Sequence, residues 1–295
     1  MRIFITGATG FIGSAVVKEL VGAGHQVLGL CRSDAKAAAL KAAGAEVHRG
    51  SLEDLQSLKA GATQSDGVIH LGFNHDFSTF AANCEDDRRV IQALGEALTG
   101  SNRPLIVTSG TAMARSGSGQ LAVEDGAVIS SSVIPRAASE EAAAAVAAQG
   151  VNVSVVRLPQ VHDTFRQGLI TPIIELYREK GVCSYIGDGQ VRWPAAHVLD
   201  VARLYRLAIE KAQPGAKYHA VAEQGVSMGE IAEVLGARLK LPVKSIAAEE
   251  AQGFFGWLAM FANHDMPASS ALTRKTLGWE PVGRGMLADL AQLEG

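Results

Sequence analysis

Five residues into the chain, the apolar run Ile3-Phe4-Ile5 meets Thr6-Gly7-Ala8-Thr9-Gly10-Phe11-Ile12-Gly13, and an apolar helix-like stretch follows from Ala15 to Leu20. No other segment constrains the fold as much. Glycines spaced this way between a strand and a helix let backbone approach a pyrophosphate closely. The helix N-terminus then offers free N–H groups and the positive end of its dipole. A glycine triplet alone would mean little among 32 glycines in 295 residues. Its position at the start of a domain, with a strand before and a helix after, makes it a dinucleotide cradle. Gly7, Thr9, Gly10, Phe11, Ile12 and Gly13 are its expected contacts.

Beyond the turn, short apolar strands alternate with helical patterns. Residues 3–6, 26–30, 46–48, 68–71, 105–108 and 153–156 read as buried strands. Between them, residues 12–23, 35–43, 54–60, 80–98 and 137–149 read as helices. The expected fold class is α/β, a doubly wound parallel sheet of the Rossmann type with the ligand crevice at the strands' carboxyl ends. After about Leu158 the rhythm changes: a proline-containing helix start at Thr171-Pro172, the turn Gly187-Asp188-Gly189, and a helix from Val198 to Lys211. The expected division is a dinucleotide-binding core over 1–160, to which 198–222 returns through a strand at 217–221. A smaller C-terminal substrate lobe is built from 161–197 and 223–295.

Composition limits the function classes. With 47% hydrophobic and 19% charged residues the chain is not disordered, and no apolar run is long enough for a membrane span. Met1-Arg2 runs directly into a strand without a signal-like segment, which points to a cytoplasmic protein. A net charge of −3 gives no footprint for nucleic acid. Cys31, Cys84 and Cys183 have neither metal spacing nor a disulfide framework and read as buried small hydrophobes, so no metal is expected.

Several further stretches carry a family resemblance. They are Val68-Ile69-His70-Leu71, Ile106-Val107-Thr108-Ser109, Val156-Arg157-Leu158-Pro159, Ile186-Gly187-Asp188-Gly189, His197-Val198-Leu199-Asp200-Val201-Ala202 and Leu277-Gly278-Trp279-Glu280-Pro281. Together with the glycine turn they make the chain resemble an atypical, extended short-chain dehydrogenase/reductase of the epimerase/dehydratase-like kind. The resemblance implies a nicotinamide cofactor, a small-molecule substrate under the C-terminal lobe and, by analogy, a homodimer. It also implies cofactor contacts from Leu52 beside the adenine, from Leu71, Gly72 and Phe73 beside the nicotinamide ribose, and from Thr108. Such strand-end positions can equally be ordinary packing.

Arg32 and Ser33 end the second strand, where an acidic residue usually accepts from the ribose hydroxyls of NAD. A cation there suits a 2′-phosphate, so NADP(H) is expected over NAD(H). The competing explanation is a solvated Arg before a helix cap at Ser33 or Asp34.

The family's Tyr and Lys, four residues apart on one helix face, have no counterpart. Arg136 and Glu140 fall at those positions, and all four tyrosines come after the sixth strand. Tyr177 and Lys180 read as surface residues. Gly110 takes the slot of the usual serine, leaving Ser109 and Thr111 to hydrogen-bond a substrate oxygen or merely loop backbone. Arg136 either stabilises negative charge or forms a surface pair with Glu140. Histidine is the natural proton donor near neutral pH, which makes His75, His162 and His197 candidates.

Substrate contacts are expected from His162, Arg192, Trp193 and Trp257. Trp257 lies in the aromatic run at 254–261, which could roof a pocket, pack on the core or make a dimer contact. An uncharged, partly aromatic substrate fits better than a nucleotide sugar. Two functions follow: an NADP(H)-dependent oxidoreductase for a small carbonyl or alcohol, or a non-catalytic cofactor-binding sensor or regulatory protein.

Overall fold

The computed structural model describes residues 1–114, 117 and 120–294. Its first half alternates strictly: β1 Arg2–Thr6, α1 Phe11–Gly22, β2 Gln26–Cys31, α2 Asp34–Ala42, β3 Glu46–Arg49, α3 Leu55–Thr63 and β4 Gly67–His70. There follow α4 Phe80–Leu98, β5 Leu105–Gly110, α5 Ala138–Ala148, β6 Val153–Leu158, β7 Gln160–His162, α6 Ile170–Lys180 and β8 Cys183–Ile186. Next come β9 Arg192–His197, α7 Val198–Lys211, β10 Lys217–His219, β11 Glu223–Ser227, α8 Met228–Leu239 and β12 Val243–Ile246. The chain ends with the short helices α9 Ala251–Phe255, α10 Ala259–Ala262, α11 Ala271–Leu277 and α12 Met286–Ala291.

Seven strands form one sheet in the order β10-β6-β5-β4-β1-β2-β3, with every neighbouring pair parallel. Parallel strands covered by helices on both faces must be apolar along their length, and Ile3, Phe4 and Ile5 are accordingly buried. Edge strand β3 is the exception, with Glu46 and Arg49 exposed. Helix α1 packs with α7 over one face, and α3, α4 and α5 cover the other. The strand order reverses between β1 and β4, so the crevice beyond their carboxyl ends is the natural ligand site.

Residues 198–219 return to this layer: α7 buries Val201, Leu204, Tyr205 and Ile209, and β10 adds a parallel strand beside β6. Most of the remaining elements gather around a second core containing Ile173, Trp193, Ile231 and Leu290, whereas Leu277 of α11 and Trp279 pack on the first. Two small sheets, β11-β9-β7 and β12-β8, belong to it. All three cysteines are free and buried, as the sequence leads one to expect.

The turn after β1 explains its glycines. Gly7 has φ of +68°, and a Cβ there would lie 2.7 Å from the Gly72 backbone nitrogen. A Cβ on Gly13 would overlap the Gly7 carbonyl oxygen, whereas one on Gly22, in the same helix, would meet nothing within 4 Å. Gly13→Ala should therefore lose about 1–3 kcal/mol through overpacking. Gly22→Ala should be neutral or gain a few tenths of a kcal/mol, on the order expected from helix propensity. Urea unfolding of the two variants checks this, and equal midpoints would remove the steric argument.

Candidate functional site

Gly10 donates its N–H to the Gly7 carbonyl at 2.9 Å, closing the turn. No side chain caps α1, whose N-cap is Gly10, so the N–H groups of its first turn point free toward the crevice. Side-chain-free backbone facing an uncapped helix N-terminus fits a pyrophosphate. Leu71 and Gly72 border the turn from β4, and Leu52 packs close beside Gly72.

At the end of β2, Arg32 is exposed and has no hydrogen bond or ion pair among the described residues. Glu53 feels its charge: a hydrogen bond from Ser51 first, and Arg32 more weakly, hold the Glu53 carboxyl below its usual range. Ser33 caps α2 by accepting from the Lys36 N–H, which leaves its own hydroxyl hydrogen free to donate.

The centre of the site differs from a helix-surface pair of Arg136 and Glu140, and this corrects that expectation. Arg136 instead donates to the Asp87 carboxylate at 2.9 Å, to the Ser139 hydroxyl and to the Thr108 carbonyl at 3.1 Å. Its guanidinium lies 4.2 Å from the centre of the Phe73 ring. Asp87 also accepts from Ser139 and from His70 Nε2 at 2.8 Å. A carboxylate only accepts, so His70 carries its proton on Nε2. Its Nδ1 then accepts from the Thr6 hydroxyl, which in turn accepts from the Gly72 N–H. Burial alone would raise the Asp87 pKa; His70, Arg136 and Ser139 outweigh it and hold the carboxyl below its usual value.

Glu140 turns the other way. Arg157, fully buried in β6, donates to both of its carboxylate oxygens at 2.8 Å, and the Ser109 hydroxyl donates to the same group. The Ser109 proton is thus committed, and only its oxygen can serve a ligand. Thr108 shares a 2.7 Å hydrogen bond with the buried Tyr205 hydroxyl, and Thr111 lies 3.4 Å from the Leu158 carbonyl oxygen. Burial pushes the Tyr205 hydroxyl far above the usual tyrosine range, which makes it a poor acid.

Among the histidines, His75 reaches solvent on the loop after β4, edge-on to Phe73 at 5.2 Å. Desolvation first and the Arg136 charge second hold its pKa below the usual value, so near pH 7 its ring is mostly neutral. His162 and Trp193 correct the expected substrate contacts. His162 is fully buried in β7 and bonds Asp289 at 2.7 Å, and Trp193 lies in the second core with its indole N–H on the His264 carbonyl. Alternation along these short strands turns both inward. Arg192 forms an ion pair with Asp265. His197 caps α7 by accepting from the Leu199 N–H and borders a separate hollow of about 450 Å³ with Arg203 and Arg284. Tyr177 is likewise corrected from surface to core: it is buried and donates to the Ser184 carbonyl.

Trp257 does reach the crevice side, stacking on Phe77 at 4.5 Å. The neighbours Phe255 and Leu258 pack in the second core, so the aromatic run divides between packing and contact across the lobes.

Asp87, His70, Arg157 and Tyr205 escaped the reading of the sequence as site residues. A signal existed for some of them. Asp87 shares the helical spacing of the buried Val90, Ile91 and Leu94, and Arg157 interrupts an apolar strand; a charge in such a position demands a partner.

Residues 3–222 match the model of the NAD dependent epimerase/dehydratase family. An uncharacterized protein of Schizosaccharomyces pombe is 48% identical over 292 residues, covering 99% of this chain and 98% of the relative. An uncharacterized protein of Saccharomyces cerevisiae is 45% identical, covering 98% of each chain. Among solved structures, a double mutant of the dTDP-glucose 4,6-dehydratase DesIV from Streptomyces venezuelae, with NAD and DAU bound, superposes with a TM-score of 0.79. It is 19% identical, over 99% of this chain and 95% of that one, a likeness of fold.

Arg157 also touches His219, and this couples the site to pH. Arg157 donates to His219 Nε2 at 3.1 Å, and Nδ1–H donates to the Ser269 carbonyl, so the fold requires the neutral ring. Burial, then the Arg157 charge, press its pKa from 6.5 down to about 4. A folded-state pKa below the unfolded one means full stability above pH 6.5 and loss as pH falls toward 4. Urea midpoints should decline through that window, and His219→Gln, which keeps one acceptor and one donor, should flatten part of the decline. An unchanged pH slope in the variant would exclude His219 as a contributor.

Proposed function

Since the chain belongs to the NAD dependent epimerase/dehydratase family, we propose that it is an oxidoreductase of the atypical short-chain type, using NADP(H) to interconvert a small carbonyl compound and its alcohol. The observation that carries this reading is a convergence at one sheet edge. A backbone cradle free of side chains lies beside a hydrogen-bonded polar wall running from Thr6 through His70 and Asp87 to Arg136. A bound nicotinamide cofactor supplies or accepts the hydride.

The chain's own residues do the rest. The turn from Gly7 to Gly13 and the first turn of α1 hold the pyrophosphate, with Thr9, Phe11 and Ile12 around it. Arg32 grips the 2′-phosphate and Ser33 adds its free hydroxyl hydrogen. Leu52 flanks the adenine, while Leu71, Gly72, Phe73 and Thr108 border the nicotinamide ribose. Thr111 and the remaining N–H groups of Arg136 meet the substrate oxygen, and His75 exchanges a proton with it from the open side. Residues 1–160 with 198–222 form the cofactor unit; 161–197 with 223–295 cover the substrate, Arg192 and Trp257 at its edge. The protein works in the cytoplasm as a homodimer, by analogy with the family.

One observation favours the sensor reading instead. Arg136 and Glu140, at the positions of the family's proton-transferring pair, are both held in ion pairs with other parts of the protein. Tight cofactor binding without NADPH oxidation across ketones, aldehydes, enones and imines would select it.

Cofactor choice gives the direct test. Equilibrium titration should show NADPH binding roughly tenfold or more tighter than NADH, from one charge-assisted contact. Arg32→Asp should abolish that preference while leaving NADH affinity within about threefold, the scatter of a surface change. Equal affinities in the native protein would end the NADP(H) assignment.

A further inference from the structure

We infer that the site beside Arg136 takes an uncharged carbonyl compound carrying a flat aromatic ring, with Trp257, backed by Phe77, stacking on the ring and Asp87 screening out anionic analogues. The inference rests on the oxidoreductase reading only for the carbonyl; the ring and the missing charge come from separate observations.

The first is a continuous chain of rings that begins at Arg136 and ends at solvent. Phe73, beneath the Arg136 guanidinium, meets Phe80 at 6.2 Å. Phe80 stacks on Phe77 at 5.5 Å, and Phe77 stacks on Trp257 at 4.5 Å with planes 26° apart. Phe77 belongs to the sheet domain's loop after β4, whereas Trp257 comes from the second lobe, so the stack spans the crevice between them. Trp257 is not core filler. It remains 46% exposed, while Trp193 and Trp279 are buried at 1% and 0%. Those two also place their indole N–H groups on carbonyl oxygens of His264 and Asp200, and no such partner is recorded for Trp257 among the described residues. A large ring that stays partly exposed with an unengaged N–H, stacked on Phe77 and edge-on to Phe261 at 6.3 Å, offers a ligand ring both a surface and a donor.

The second observation is electrostatic. Recognition of a carboxylate or phosphate calls for an uncompensated cation with its forked donors free. Here the Arg136 charge is cancelled by Asp87 at 2.9 Å, that of Arg157 by Glu140 at 2.8 Å, and that of Arg192 by Asp265 at 2.8 Å. Arg136 spends further donors on Ser139 and the Thr108 carbonyl. An anionic substrate entering this wall would lose its hydration without gaining a counter-charge. Asp87 touches no substrate in this arrangement; it acts through Arg136 as a specificity-setting positioning residue.

Three aldehydes of similar size separate the terms: 2-naphthaldehyde, its saturated decahydro analogue, and 6-formyl-2-naphthoate. Calorimetric titration of the protein saturated with NADP+ reads binding without turnover. The native protein should bind 2-naphthaldehyde roughly tenfold or more tightly than either of the others. Trp257→Ala should weaken the aromatic aldehyde about three- to tenfold and leave the saturated one unchanged. Asp87→Asn should bring 6-formyl-2-naphthoate to within about threefold of 2-naphthaldehyde, or past it, by freeing the Arg136 charge. Should Asp87→Asn fail to fold, the aldehyde series on the native protein and the surface variant Trp257→Ala carry the test alone. Equal affinities for the three aldehydes, or equal losses for ring and saturated compound in Trp257→Ala, overturn the inference even if other carbonyls are reduced. Discrimination in binding with no NADPH oxidation by any carbonyl would instead sustain the pocket assignment and defeat the oxidoreductase reading.

Discussion

A charge buried at the carboxyl edge of the main sheet must be satisfied within the protein, because water does not reach it. Asp87, Glu140 and Arg157 are all nearly inaccessible, and each is paired. The interactions are worth little as net stability, since desolvation consumes most of the attraction, but removing one partner strands the other at a cost of about 3–5 kcal/mol. The pairs therefore act as constraints on geometry. Asp87 ties α4 to β4 through His70 and to the start of α5 through Arg136 and Ser139; Glu140 ties α5 to β6 through Arg157.

That constraint explains how two residues at the positions of a proton-transferring pair can have another role. Arg136 and Glu140 lie one helical turn apart, and nothing local stops them from pairing with each other. They do not, because each meets a partner on a different element: Asp87 for one, Arg157 for the other. Coulombic attraction strengthens as the local dielectric falls, so Glu140 pairs with the fully buried Arg157 rather than with the partly exposed Arg136, which leaves Arg136 to the equally buried Asp87. The helix start becomes a fixed strut between α4 and β6, and Arg136 is held over Phe73 in one orientation.

What could be read from the sequence divides along the same line. The glycine turn, the alternation of strands with helices and the helix over Val198–Lys211 are local patterns: apolar periodicity, turn chemistry and caps act within a dozen residues. They were legible almost to the residue. The return of 217–219 beside β6 was also readable, because a strand-like stretch from Lys217 to Val221 after an amphipathic helix repeats the earlier unit. The polar wall was not readable as a wall. Thr6 and His70 are 64 positions apart, and Asp87 and Arg136 are 49 apart. Each residue on its own looks like a strand end, a helix acid or a surface cation. Only the sheet order, which puts β4 between β1 and β5, makes neighbours of them. The inward turns of His162 and Trp193 escaped for a related reason: on a strand three to six residues long, a shift of one position exchanges core and solvent faces.

The fixed wall and the aromatic stack divide the work between precision and tolerance. Hydrogen bonds among Thr6, His70, Asp87 and Arg136 are directional and mostly buried, so the floor of the site has one geometry. The rings of Phe77 and Trp257 are held by contact area alone, on a loop and a short helical segment belonging to different lobes. Stacking tolerates sliding and tilting at little cost, whereas a buried ion pair does not. Adjustment to a ligand must therefore fall on the roof. Relative movement of the lobes would open or close the Phe77–Trp257 contact while leaving the Asp87–Arg136 pair intact, since Asp87 in α4 and Arg136 just before α5 both belong to the main-sheet unit.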